Sequence, residues 1–180
     1  GQEIVEQIRA DIAGRIEHRP PEDAKFMDLM KAAGEDNSAK IVAAYLQSLG
    51  VSAKYMNPRD AGLMLSEEFG NARVLPESYK RLAALADTKE LIVFPGFFGY
   101  SLSGEVVTFS RGGSDVTGSV LAAGVNADVY ENFTDVDYVF AANPKIVKNP
   151  KPIPFFTYEE MRELSYAGFN VLHEETLEPV

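Results

Sequence analysis

The residues from Leu91 to Ala123, LIVFPGFFGYSLSGEVVTFSRGGSDVTGSVLAA, constrain the fold more than any other part of the chain. An apolar run suited to a buried strand leads into a glycine-bearing turn, a second strand, a glycine pair and a polar start to an apolar helix. That order brings backbone N–H groups, a serine and a carboxylate to the positive end of a helix dipole. An anion fits there, and phosphate in particular.

Composition narrows the partners. The chain has 180 residues, 46% hydrophobic and 24% charged, which suits one domain over residues 1–180 with a core of useful size. A formal net charge of -10, from 27 acidic and 17 basic residues, disfavours nucleic acid and anionic membranes, whose affinity comes from clustered Lys and Arg. A small anion needs only local positive charge and stays compatible. Without cysteine there is no disulfide, no thiolate nucleophile and no Cys-type zinc site, which fits a reducing cytoplasm. The start of the chain, GQEIVEQIRADIAGRIEH, lacks the apolar core of a signal peptide, and no run approaches the ~20 apolar residues that span a bilayer. A soluble, intracellular protein is expected.

Ile4, Val5, Ile8, Ile12 and Ile16 recur at helical spacing and predict an amphipathic first helix ended by Arg19-Pro20-Pro21. Pro21, Glu22 and Asp23 open a second helix through Phe26, Leu29 and Met30. Gly34-Glu35-Asp36-Asn37-Ser38 is read as breaking it and starting a third, with Ile41, Val42, Tyr45, Leu46 and Leu49 as a buried stripe ending at Gly50. Val51 to Tyr55 reads as a strand, Asn57 to Asn71 as loop with one short helix, Arg73 to Leu75 as a strand and Pro76 to Leu85 as a helix. After the central stretch come a strand over Ala127 to Phe133, a turn at Thr134 to Asp137, an extended Val139 to Ala142 and an irregular Asn143 to Pro154. Thr157 and Glu160 form a capping box for a helix to Ala167 stopped by Gly168, and Val171 with Leu172 starts a last strand. Short apolar strands alternating with helices predict an α/β domain with a largely parallel sheet.

Arg111-Gly112-Gly113-Ser114-Asp115 is the sharpest local signal: the glycines permit close backbone approach to a ligand, and Arg111 offers a bidentate donor for carboxylate or phosphate. Equally, the glycines make a plain turn and Ser114 or Asp115 caps the helix. No Gly-Lys-Ser/Thr follows, so this is not a Walker A loop. Phe94-Pro95-Gly96-Phe97-Phe98-Gly99 ends a strand at the carboxyl edge where α/β sheets bind ligands, or is a terminus packed by aromatics. Glu35 can hold an ammonium group or is a solvated neighbour of a helix cap at Asp36 or Asn37. Thr134-Asp135-Val136-Asp137 suits sugar hydroxyls or magnesium-bound water, and equally an ordinary polar turn. His18 and His173 show no spacing for a metal or a catalytic triad, and both read as structural.

Taken in order, GEDNSA, FPGFFG, FSRGGSD, NFTDVD with its following NPK, and ELSYAGFNVLHEE resemble the catalytic domain of aspartate kinases, a branch of the amino-acid kinases, from about Asp23 onward. The resemblance implies a three-layer α/β/α fold, here truncated, and transfer of the γ-phosphoryl of magnesium ATP to the side-chain carboxylate of L-aspartate. The product is 4-phospho-L-aspartate, on the way to lysine, threonine and methionine. It implies that Glu35 binds the substrate ammonium, that Arg111 grips a substrate carboxylate and that Ser114 lies beside the substrate. Asp115 would order the basic and metal groups around the phosphoryl. Gly96, Gly112, Gly113, Thr134, Asp135, Phe140 and Lys145 would meet the nucleotide, with Mg2+ bound through it and no metal site of the protein's own.

Three departures qualify the expectation. The family's leading strand and Lys-Phe-Gly-Gly-Ser loop have no match here, Tyr138 stands where many relatives carry glycine, and Asn170 replaces a lysine before Val-Leu-His. The family's C-terminal sensing domains are also unmatched. An excised piece is therefore expected, binding ADP but turning over weakly, with self-association through an unpaired sheet edge. The alternatives are a non-catalytic nucleotide- or amino-acid-binding or subunit-interaction fragment, and a different amino-acid kinase.

Overall fold

The computed structural model describes residues 2–110, 112–133, 139–142, 146–166, 174–177 and 179. The element order is α1 (Gln2–Glu17), α2 (Asp23–Ser48), β1 (Ala53–Tyr55), α3 (Pro58–Ala61), α4 (Glu77–Leu82) with a 3-10 turn (Ala83–Asp87), β2 (Leu91–Val93), β3 (Phe98–Tyr100), β4 (Val106–Thr108), α5 (Gly113–Gly124), β5 (Val139–Phe140), β6 (Pro152–Ile153), α6 (Tyr158–Tyr166) and α7 (Glu174–Leu177). Strands β1 and β2 pair in parallel, Ala53 opposite Leu91 and Tyr55 opposite Val93. The helices and turns between them make the right kind of crossover for an α/β fold. Strands β3 and β4 form an antiparallel hairpin, and β5 and β6 a second antiparallel pair. The first hairpin adds a strand, β3, inside what the sequence presents as a turn. No helix among the described residues is long and apolar enough to cross a membrane.

The main core lies where α4, α5, the hairpin and the segment between α3 and α4 meet. Ala61, Leu63, Leu65, Leu82, Val107, Phe109, Val116 and Val120 are buried together. The segment from Leu63 to Ala72 is irregular, yet it bonds to both hairpin strands, Leu65 N–H to the Tyr100 carbonyl and Ala72 N–H to the Thr108 carbonyl. Leu65 and Val74 form only an isolated bridge, in place of the strand expected at Arg73 to Leu75.

Helix α2 overturns one expectation. Gly34 to Ser38 neither ends a helix nor starts one, because α2 runs unbroken from Asp23 to Ser48. A mid-helix glycine costs about 1 kcal/mol relative to alanine, and packing outweighs it. Ala32, Ala33, Ala39 and Ala43 are buried, and α2 packs on β1, β2 and β4. Those small side chains let the helix approach the sheet closely, so the bulky residues point away. Ile41, Val42, Tyr45 and Leu49, expected as a buried stripe, are exposed, Tyr45 at 62%.

Helix α1 forms where the periodicity places it but buries no residue fully; Val5, Ile12 and Ile16 are exposed. Polar contacts hold it to α2. Arg15 pairs with Asp36 at 3.0 Å and donates to the Leu29 carbonyl at 2.8 Å, while Asn37 donates to Asp11 at 3.0 Å. Residues 127–133 form no strand: among the described residues no strand pairs with them, and Phe133 is 91% exposed. The Thr157–Glu160 capping box is present, each residue's side chain bonded to the other's turn. Gly168, Val171 and Leu172 lie outside the described residues.

Asp28 joins three parts of the chain. Its buried carboxylate, 1% exposed, accepts the N–H of Thr108 at 2.8 Å, the Thr108 hydroxyl at 2.9 Å and the N–H of Gly70 at 2.8 Å. Replacing it with alanine strands two buried donors, so Asp28→Ala is expected to lower the unfolding free energy by about 3 kcal/mol in a urea titration. A loss below a few tenths would show these bonds to be incidental.

Candidate functional site

The site is built at the carboxyl ends of β1 and β2. After Val93 the chain passes through Phe94-Pro95-Gly96-Phe97, and the turn packs on the start of α5. A Cβ on Gly96 would stand 2.8 Å from Ser114 Oγ and 3.0 Å from its Cα, so only glycine allows this approach. A Cβ on Gly113 would lie 2.6 Å from Phe109 Cβ and 2.8 Å from Phe97 Cδ2. Two glycine-rich motifs separated in sequence thus touch.

Gly112 precedes α5 in the left-handed region at φ 70, and its position carries no side-chain cap. Gly112 has no side chain with which to cap the first turn of this 12-residue helix, and Gly112 and Ser114 are exposed there, at the end of the helix that suits an anion. Asp115, half-buried in the same turn, does not cap the helix. Its peptide carbonyl accepts the Tyr130 hydroxyl at 3.0 Å. Burial, with a smaller contribution from the Asp115 charge, pushes the Tyr130 phenol above its ordinary pKa. The aromatic ring therefore closes one side of the Asp115 turn.

Glu35 lies elsewhere, exposed in the middle of α2. Its neighbour Asp36 shows where that point of the helix sits. The buried Asp36 carboxylate accepts from the Tyr55 hydroxyl at the end of β1, from Lys40 at 2.8 Å and from Arg15 at 3.0 Å. Glu35 is thus at the level of the carboxyl ends of the strands, where the turn after β2 also emerges. The alternative in which Asp36 or Asn37 caps a helix is excluded by their mid-helix positions. Phe140 is half-buried in β5, opposite Pro152. Arg111, Thr134, Asp135 and Lys145 lie outside the described residues, as do Tyr138, Asn170 and His173. His18 donates to the Gly14 carbonyl at 3.0 Å on the exposed end of α1.

A polar cleft of about 510 Å³ between α1, α2, α3 and the first hairpin is lined by Arg15, Lys25, Arg59, Tyr100 and Glu105, and not by Gly96, Ser114 or Asp115. Its cations are already engaged. Arg15 holds Asp11 and Asp36, Lys25 meets Glu105 at 3.3 Å, and Arg59 lies over the Tyr100 ring while donating to the Gly104 carbonyl. Net neutrality makes this cleft a poorer anion site than the open start of α5.

Sequence reasoning missed Tyr55, Thr117 and Tyr130, which shape the site from positions without a motif. The Thr117 hydroxyl accepts the Phe97 N–H at 3.0 Å. Tyr55 has its pKa raised above its ordinary value of 10.0 by burial first and by the Asp36 charge and hydrogen bond next. A raised phenol contributes stability that is complete below the unfolded-state pKa and is lost as pH climbs above it. Thermal unfolding should therefore show a destabilisation above about pH 10 that Tyr55→Phe reduces. An identical alkaline slope in the variant would remove Tyr55 as its source.

Comparison with known proteins supplies the family. The amino acid kinase family model matches residues 2–180. Aspartokinase 3 of Bacillus subtilis (strain 168) is 56% identical over 179 residues, covering 99% of this chain and 39% of the relative. The aspartokinase of Corynebacterium glutamicum is 37% identical over 163 residues, 90% of this chain and 38% of the relative. The E. coli aspartokinase III structure in complex with aspartate and ADP matches with a TM-score of 0.87 at 27% identity, over 99% of this chain and 41% of the other. The aspartate kinase of Clostridium acetobutylicum matches with a TM-score of 0.74 at 39% identity, over 99% of this chain and 37% of the other. The chain thus spans about two fifths of the length of these relatives. Matched along nearly its whole length in sequence and in backbone, the chain belongs to the amino acid kinase family.

Proposed function

We propose that this chain is part of the catalytic domain of an aspartate kinase, the domain that transfers the γ-phosphoryl of ATP to the side-chain carboxylate of L-aspartate. The observation that supports it most is the uncapped start of α5, packed against the Gly96 turn with Ser114 exposed at the contact. Four relatives and neighbours named above are aspartokinases, and one was solved with aspartate and ADP. The 180 residues are taken as one partial domain, acting in the cytoplasm where ATP and aspartate occur.

Phosphoryl transfer asks the protein mainly for positioning and charge stabilisation. The acceptor carboxylate is already ionised at neutral pH, so no strong base is needed. The N–H groups at the start of α5 suit phosphoryl oxygens, and Gly112 leaves room for them. Arg111 grips a carboxylate of the substrate, Ser114 lies beside it, and Glu35 takes its ammonium group. Asp115 stands one position beyond Ser114, where its charge orders cations around the reacting oxygens. Thr134, Asp135, Phe140 and Lys145 hold the nucleotide. Magnesium ATP supplies the transferable group and neutralises its charge. Among the described residues no group of three or more His, Cys, Asp or Glu is placed to hold a metal ion.

Calorimetry should show ADP with magnesium binding to the folded chain, and L-aspartate binding in its presence. A folded sample that binds neither would overturn the reading. Where transfer is measurable, Asp115→Ala should abolish it, by about a hundredfold or more, while circular dichroism stays unchanged. Unaltered turnover would reduce Asp115 to a first-turn acid that stabilises the helix.

A further inference from the structure

Phe97 is a bulky residue at φ 75, in the left-handed region that side chains other than glycine rarely enter. Such a conformation persists only where the surroundings hold it. Here both sides of its peptide are held. The Phe97 N–H donates to Thr117 Oγ1 at 3.0 Å, and the Phe97 carbonyl accepts the Phe109 N–H at 2.9 Å. The Thr117 hydroxyl in turn donates a hydrogen bond to the Gly113 carbonyl at 2.8 Å. Its donor and its acceptor are both in use, and Thr117 is 2% exposed, so water does not compete for either bond. The Phe97 ring edge meanwhile rests on Gly113.

We propose that Thr117 is a positioning residue for the candidate site: one turn inside α5, its hydroxyl locks the Phe97 peptide in the left-handed conformation and so sets the contact of Gly96 with Ser114. This deepens the aspartate kinase reading and rests on it for its effect on ligand. Helix propensity gives threonine no advantage at this point, since the β-branched side chain loses rotamer freedom there. The tertiary bond to Phe97 gives the hydroxyl its use. Without it the Phe97 N–H loses its partner, the strained residue relaxes toward negative φ, and Gly96 withdraws from Ser114. Ser114 is where the substrate is placed by the reading above, so aspartate binding weakens even though Thr117 touches no ligand.

The test compares the chain with Thr117→Val, which keeps the shape and removes the hydroxyl, and Thr117→Ser, which keeps the hydroxyl. Two quantities are read: hydrogen exchange at the Phe97 amide by NMR, and L-aspartate affinity with ADP and magnesium present. In Thr117→Val the amide should exchange about tenfold faster or more and aspartate should bind about tenfold more weakly, while Thr117→Ser keeps both near wild type. The inference is overturned if Thr117→Val leaves exchange and affinity unchanged, or if Thr117→Ser loses them as Thr117→Val does. Should Thr117→Val not fold, Thr117→Ser decides alone: retained Phe97 protection supports the lock and lost protection refutes it. If the wild-type chain binds no aspartate, the kinase reading fails, and the exchange data still decide whether Thr117 holds Phe97.

Discussion

Asp28 ties the helix α2 to everything behind it. A carboxylate taken out of water costs several kcal/mol unless its oxygens are fully met, and here two backbone N–H groups and a hydroxyl meet them. Two of those donors sit on β4, and the third on the segment that edges the hairpin. The bonds therefore fix the height of α2 over β4, and with it the level at which Asp36 and Glu35 project. The rotation of α2 follows from the same constraint together with its buried alanines: with Asp28 turned inward, Ala32, Ala39 and Ala43 face the sheet.

That rotation explains why α1 is held by charge. The face of α2 that meets α1 presents Asp36 and Asn37, and α1 answers with Arg15 and Asp11. Arg15 has three acceptors, Asp11, Asp36 and the Leu29 carbonyl, which makes good use of its planar fork. Burial acts to raise the Asp11 pKa, but the hydrogen bonds from Arg15 and Asn37, with the charges of Arg15 and Lys40, outweigh it and hold the carboxyl below its ordinary value. The net therefore sits between two helices and reaches Tyr55 at the end of β1. It stabilises the surroundings of Glu35 without engaging Glu35, whose side chain stays exposed to solvent.

The second organising contact is the meeting of the Gly96 turn with α5. Here the physics is steric: absence of side chains at residues 96 and 113 lets two backbones approach, and Thr117 and Phe109 bind the strained peptide between them. The result is a helix start at which Gly112 supplies no side-chain cap. Helix dipole, glycine backbone and an adjacent exposed serine then coincide in one place.

The sequence by itself determined the α/β class, the first helix, the helix that follows Thr157, and the family, because these follow from local periodicity and from motif order; strand pairing did not, since only β1 and β2 pair in parallel among the described residues, while β3 with β4 and β5 with β6 are antiparallel. The Thr157–Glu160 capping box was legible for the same reason: both partners lie within one turn. Only tertiary structure decided that α2 is unbroken at Gly34, since packing against three strands outweighs one glycine. It also decided that Ile41, Val42 and Tyr45 face outward, because helical period identifies a stripe but not which stripe the sheet will take. The candidate site divides the same way. Gly96, Gly112, Gly113, Ser114 and Asp115 could be read from spacing, whereas Tyr55, Thr117 and Tyr130 could not. Their roles depend on bonds to residues brought near only by folding, such as Phe97, which lies 20 residues from Thr117.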